Sequence, residues 1–137
     1  MDNYGEAPLV TTDGAAIEET DLLIASDKVE GTAVYNRQGE HLGAVHNFMV
    51  NKSTGQVAYA VMAFGGFLGI GESYHPLPWR VLTYDPDRSG FVIDLDRDRL
   101  ETAPSYKVDA VPNWADRAYG RRIDEFYGQS HYWGTLV

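Results

Sequence analysis

Several stretches of the chain set oxygen-bearing or glycine residues at spacings that could do chemistry. The sharpest is Asp85-x-Asp87-x-Ser89-Gly90 with Asp96 at the twelfth position, the donor spacing of a calcium loop. Against calcium stand Pro86, a strand-like run at 91–95 where an exiting helix belongs, and Asp where such loops close on a bidentate Glu. The same Asp, Pro and Gly residues also build an ordinary hairpin turn. A second stretch, Gly66-x-x-Gly69-x-Gly71, reverses the spacing of a dinucleotide-binding glycine motif. It leads into extended chain, so no helix N-terminus awaits a phosphate. What it leaves is a bend carrying Phe67, Leu68 and Ile70, and an apolar loop tip is either folded over its own domain or buried in a partner. Asp94, Asp96 and Asp98 would share one face of a regular strand, as a carboxylate cluster or as a charged edge that discourages edge pairing.

Other chemistry finds no purchase. His41, His46, His75 and His131 show no metal-ligand spacing, and an odd separation puts His41 and His46 on opposite faces of a regular strand. There is no G-x-S-x-G, no H-E-x-x-H, no G-x-x-x-x-G-K-S/T phosphate loop and no cysteine. We therefore expect no catalytic residues, no cofactor and no resident metal. The calcium loop of Asp85, Asp87, Ser89 and Asp96 stands as the alternative, ligand-binding reading.

The element that would position everything else is residues 57–64. Val57, Tyr59, Val61 and Ala63 point one way on a strand, and Ala58, Ala60, Met62 and Phe64 the other, and both sets are apolar. Such a strand needs cover on both faces. We expect a core against one face and, over the Ala60, Met62 and Phe64 side, a helix, a second copy or a foreign protein. Around it, 31–36, 41–51, 73–76, 79–84 and 91–95 read as further strands, broken by turns at 36–40, 52–55 and 85–90. Broken alternation in 41–51 signals a bulge or two-sided cover. About six short strands at close intervals predict a small antiparallel barrel.

Beyond residue 101 the period changes. Asn113 is placed to cap a helix running to about Tyr127 and stopping at Gly128. Ala115, Tyr119, Ile123 and Phe126 recur at helical spacing as one apolar face, while Arg117, Arg121 and Arg122 lie elsewhere. The bare side of the 57–64 strand is the expected seat of this helix. Tyr132 and Trp133 are expected to dock as well.

The chain has 137 residues, which predicts one domain, and a net charge of −9. Residues 1–21 carry −6 with no Lys or Arg, so they read as a flexible acidic arm, and the remainder carries −3. No broad basic face is available for nucleic acid. Neither a signal peptide nor an apolar run long enough for a bilayer is present, so no membrane insertion and a cytoplasmic location are expected.

One succession resembles a known family: Gly31-Thr-x-Val-Tyr-Asn, Gln38-Gly39-Glu40-x-Leu42-Gly43, Val57-Ala-Tyr-Ala-Val, Phe64-Gly-Gly-Phe-Leu-Gly-Ile-Gly and Pro78-Trp79. It is similar to the PRC-barrel domain over about 22–106. The resemblance implies a six-stranded small β-barrel, and residues 107–137 are expected to follow it as a helical extension. The family includes the cytoplasmic part of the H subunit of photosynthetic reaction centres and the C-terminal domain of a ribosome maturation factor. In both, the domain docks proteins and carries no chemistry of its own. This chain reads as a free-standing bacterial version, and neither partner transfers to it. The expected function is a non-catalytic interaction module that forms a homodimer and docks an unknown protein. Phe67, Leu68 and Ile70, or the helix near Tyr119 and Phe126, are the expected contacts.

Overall fold

A computed structural model describes residues 23–65 and 72–129. The described chain is mainly β with helices at its margins. Seven strands form one sheet: β1 (Ala33–Asn36), β2 (His41–Val50), β3 (Val57–Phe64), β4 (Ser73–Pro78), β5 (Leu82–Asp85), β6 (Gly90–Ile93) and β7 (Tyr106–Lys107). Short helices α1 (Ser26–Val29) and α2 (Arg97–Leu100) flank it, and α3 (Arg117–Phe126) follows. The strand order is β5-β6-β1-β2-β3-β4-β7.

This departs from six antiparallel strands in three ways. β1 and β6 pair in parallel, Val34 with Phe91 and Asn36 with Ile93, so the sheet is mixed. β7 adds a two-residue edge beside Ser73 and Tyr74 of β4. The ladder runs from edge to edge, and no pairing between β5 and β7 closes it among the described residues. The run 79–84 is also not one strand: Trp79–Val81 forms a single 3-10 turn before β5. Pro78, at φ −54°, removes a ladder donor and sets the entry to that turn.

β3 is the centre of the sheet, paired with β2 and with β4 along its length. Its bounds are those the apolar run implies. Ala60, Met62 and Phe64 face the main core, where they meet Val34, Leu42, Leu77 and Ile93. Each large side chain removed from water there contributes roughly 1.5–3 kcal/mol before entropy is counted. The opposite parity, Tyr59 and Val61, faces the helical side, and both are buried. The expectation that Ala60, Met62 and Phe64 form the outer face is therefore corrected. With two apolar sets, alternation alone does not say which faces inward.

Close packing fixes the register. A Cβ on Gly43 would collide with the carbonyl oxygen of Ala63 on β3, and one on Gly90 would lie 2.7 Å from the Ala33 carbonyl oxygen. β2 carries irregularities between Val45 and Asn47 and between Met49 and Val50, the first of the two readings its broken alternation left open. The β1–β2 turn is locked to α2 through a buried amide. Asn36 accepts from the amides of Gln38 (3.1 Å) and Glu40 (2.8 Å) and donates to Glu40 Oε1 (2.9 Å). Arg97 Nε donates to Glu40 Oε2 at 2.8 Å, and Arg97 Nη2 to the His41 carbonyl at 2.6 Å. The Arg97 and Asn36 hydrogen bonds hold the Glu40 carboxyl below its usual range.

Candidate docking surface

The helical side of the sheet is built by residues 113–129. Asn113 Oδ1 accepts from the Ala115 amide (3.0 Å), which makes a local turn rather than the helix cap. The cap is Asp116, whose Oδ1 accepts from the Ala118 amide at 2.9 Å. Ala115 thus precedes α3 and is exposed, off the apolar face assigned to it. The helix ends as expected at Gly128, whose φ of +69° suits glycine. The Gly128 amide donates to the Glu125 carbonyl (3.1 Å) and the Gln129 amide to that of Asp124 (2.7 Å), the paired bonds of a Schellman stop.

Tyr119 and Ile123 form the buried face of α3 and pack with Tyr59 of β3, joined by Trp114. Ring contacts extend this seat across the sheet. Trp114 lies 5.9 Å from Tyr59, 5.6 Å from Tyr119 and 6.3 Å from Tyr106 between centroids. Tyr106 meets Tyr74 at 5.5 Å, and Tyr74 stacks on His46 at 4.5 Å. The second dry face of β3 is therefore covered from within the chain. Burial, and then the neighbouring Tyr106, push the Tyr119 hydroxyl up to about 12, and burial raises Tyr127 further.

The outer flank of α3 stays open. A shallow groove of about 510 Å³ runs between it and the segment after α2, lined by Thr102, Pro104, Ser105, Tyr119, Arg122, Glu125 and Phe126. Two arginines lie flat on its aromatic rings, Arg122 at 5.4 Å from the Tyr119 centroid and Arg99 at 5.0 Å from that of Phe126. Of the helix residues expected in an interface, Tyr119 is 7% exposed and serves the chain's own packing. Phe126 is half-buried at the groove. Phe67, Leu68 and Ile70, and the aromatic pair Tyr132 and Trp133, lie outside the described residues.

The other candidates are dispersed. Asp85 Oδ1 accepts from the Asp87 amide (3.0 Å), and its Oδ2 lies 3.5 Å from Arg88 Nε, within the β5–β6 hairpin. Ser89 sits in that turn at φ +51°. Asp96 instead caps α2, accepting from the Arg99 amide at 2.8 Å. Among the described residues no group of three or more His, Asp or Glu could hold a metal ion. Asp94 faces Arg37 at 3.6 Å and Asp98 is helical, so the three alternate aspartates do not share a strand face. The strand stops at Ile93, and that stop undoes the expected row.

His75 drew notice from sequence only as a histidine without metal spacing. It is 2% exposed on the core side of β4, across from Met62 and edge-on to Phe64 at 5.0 Å. Its Nε2 lies 3.1 Å from Ser73 Oγ, while Nδ1 is buried with no hydrogen-bond partner among the described residues. Burial, with the Lys107 charge second, lowers its pKa to about 4. Among the described residues no carboxylate orients the ring. The alternation of β4 carried the signal for this burial, but the two prolines obscured it.

With this geometry in view, a family model described as PRC-barrel domain matches residues 23–100, more than half of the chain. The chain belongs to the PRC-barrel family. The match spans α1 to α2 and ends before β7 and α3, so the PRC-barrel part stops short of the groove's helical wall. No curated protein matches the chain. No helix among the described residues is long and apolar enough to cross a membrane.

Proposed function

We propose that this PRC-barrel protein is a non-catalytic interaction module that self-associates as a homodimer and docks a second protein through its glycine-rich loop at 66–71. The observation that carries the reading is how the described polar groups are employed. Glu40 and Arg97, Asp85 and Arg88, and the caps Asp96 and Asp116 are engaged with one another or with backbone. His75 is closed into the core side of β4, with the half-buried Ser73 beside it. What the molecule offers outward is a charged helix flank and a shallow aromatic groove. A small sheet domain with polar groups spent on its own architecture suits docking better than turnover.

The need for foreign cover over β3 is removed, because α3 supplies it. Self-association thus rests on the outer flank of α3, and partner docking on Phe67, Leu68 and Ile70. Light scattering at high micromolar concentration tests the first, and a monomer there refutes it. Pull-down from the native host with wild type and a Phe67→Ser/Leu68→Ser variant tests the second. Recovery of the same proteins by both baits refutes the loop as docking surface.

A further inference from the structure

The exposed side of α3 carries its charges in the opposite order to the one a helix dipole rewards. Arg117 and Arg121 stand in its first half and Glu125 in its last turn. Beyond the capping Asp116, acids at the start and bases at the end would be favoured, so Arg117 and Glu125 gain nothing from the helix dipole. Arg121 and Glu125 are neighbours at i,i+4, yet none of the three forms an ion pair among the described residues. They follow at four-residue steps, which makes one stripe with about 6 Å of rise between neighbours. All three are exposed, as is the small Ala118 beside them.

An order of charge that the dipole does not reward is self-complementary when reversed. Arg121 and Glu125 lie two residues on either side of Ile123. In an antiparallel pair centred at that level, Arg121 of each copy meets Glu125 of the other, twice over. A two-fold axis requires such reciprocity, with residue i on j and j on i. The groove bordering the stripe offers Pro104 and Phe126 as an apolar bed for the facing helix. The whole surface lies outside the family-matched residues 23–100, so it is an addition to the PRC-barrel rather than part of it.

We propose that the outer flank of α3 is the contact between two copies of this chain, paired antiparallel about a two-fold axis at Ile123 with reciprocal Arg121–Glu125 bridges. This rests on the self-association reading and names its surface. Two chains of net charge −9 repel at a distance. Local pairing of opposite charges is what overcomes this at contact and selects one register, since a parallel pairing sets arginine against arginine.

Charge exchange tests it on the full chain by sedimentation velocity, with wild type, Arg121→Glu, Glu125→Arg and the double variant. Both positions are exposed, so circular dichroism should show every variant folded, with melting temperatures compared at a concentration where wild type is monomeric. Wild type is expected to dimerise at about 100 µM, each single variant to weaken association at least ~10-fold, and the double variant to return within ~3-fold of wild type. A monomeric wild type overturns self-association and this surface together. A wild-type dimer that both single variants leave intact overturns the surface alone. Single variants that weaken it without recovery in the double overturn the reciprocal pairing.

Discussion

His75 makes the stability of this domain depend on acid in a way that can be worked through from its surroundings. The ring is held neutral in the core, with a pKa lowered from 6.5 to about 4. The unfolded chain therefore binds a proton that the folded one refuses across that window, so stability rises with pH there and falls as the solution is acidified. The contribution is fully present above the unfolded value of 6.5 and is lost progressively down to the folded value of about 4. At 1.36 kcal/mol per unit, the full loss is about 3 kcal/mol, of which about 2 kcal/mol is gone by pH 5. His75→Leu keeps the volume and abolishes the titration. Urea unfolding followed by tryptophan fluorescence, at several values between about pH 7 and 4.5, gives the stability of each protein. Subtracting the variant's curve from that of wild type cancels the carboxylates common to both. The difference should fall by about 2 kcal/mol between pH 7 and 5. A difference that stays flat within about 0.5 kcal/mol would show that the ring is hydrated in the folded state and refute the reasoning.

Other outcomes follow from packing and from the turns. Gly43→Ala forces a methyl onto the Ala63 carbonyl, and backbone there is pinned by pairing on both sides of β3, so denaturation should show a loss of about 1–3 kcal/mol. Ile123→Ala leaves a cavity between α3 and β3 and should cost about 2–5 kcal/mol in the same assay. Calcium titrated into the protein should give neither calorimetric heat nor a shift in melting temperature, because Asp85 and Asp96 serve a hairpin and a helix cap. A saturable heat with a raised melting temperature would restore the ligand-binding reading.

Much of the fold was legible because its signals are local. An unbroken apolar run gave β3 its bounds, turn residues separated the strands, and Gly128 marked the end of α3. The misreadings share a different cause, namely that their deciding partner is remote or duplicated. The parallel pairing of β1 with β6 joins segments more than fifty residues apart, and nothing in either segment announces it. Asn113 and Asp116 are both able to cap, and both do accept from a nearby amide, but only one stands where the helix begins. Alternation through Trp79, Val81 and Thr83 imitates a strand, whereas Pro78 turns the chain first. The inner and outer sets of β3 are equally apolar, so only the position of α3 distinguishes them. Aromatic residues attract attention, yet Tyr119 serves the interior, and the exposed charges of the same helix face outward.

The chain's own residues 113–129 close the second face of β3, and a double-mutant cycle between Tyr59 and Trp114 probes that junction. The rings meet at 5.9 Å across that junction. Tyr59→Leu, Trp114→Ala and the double variant should be non-additive, with a coupling energy of about 1 kcal/mol. Strict additivity would mean that the two side chains never touch, and that β3 has some other cover.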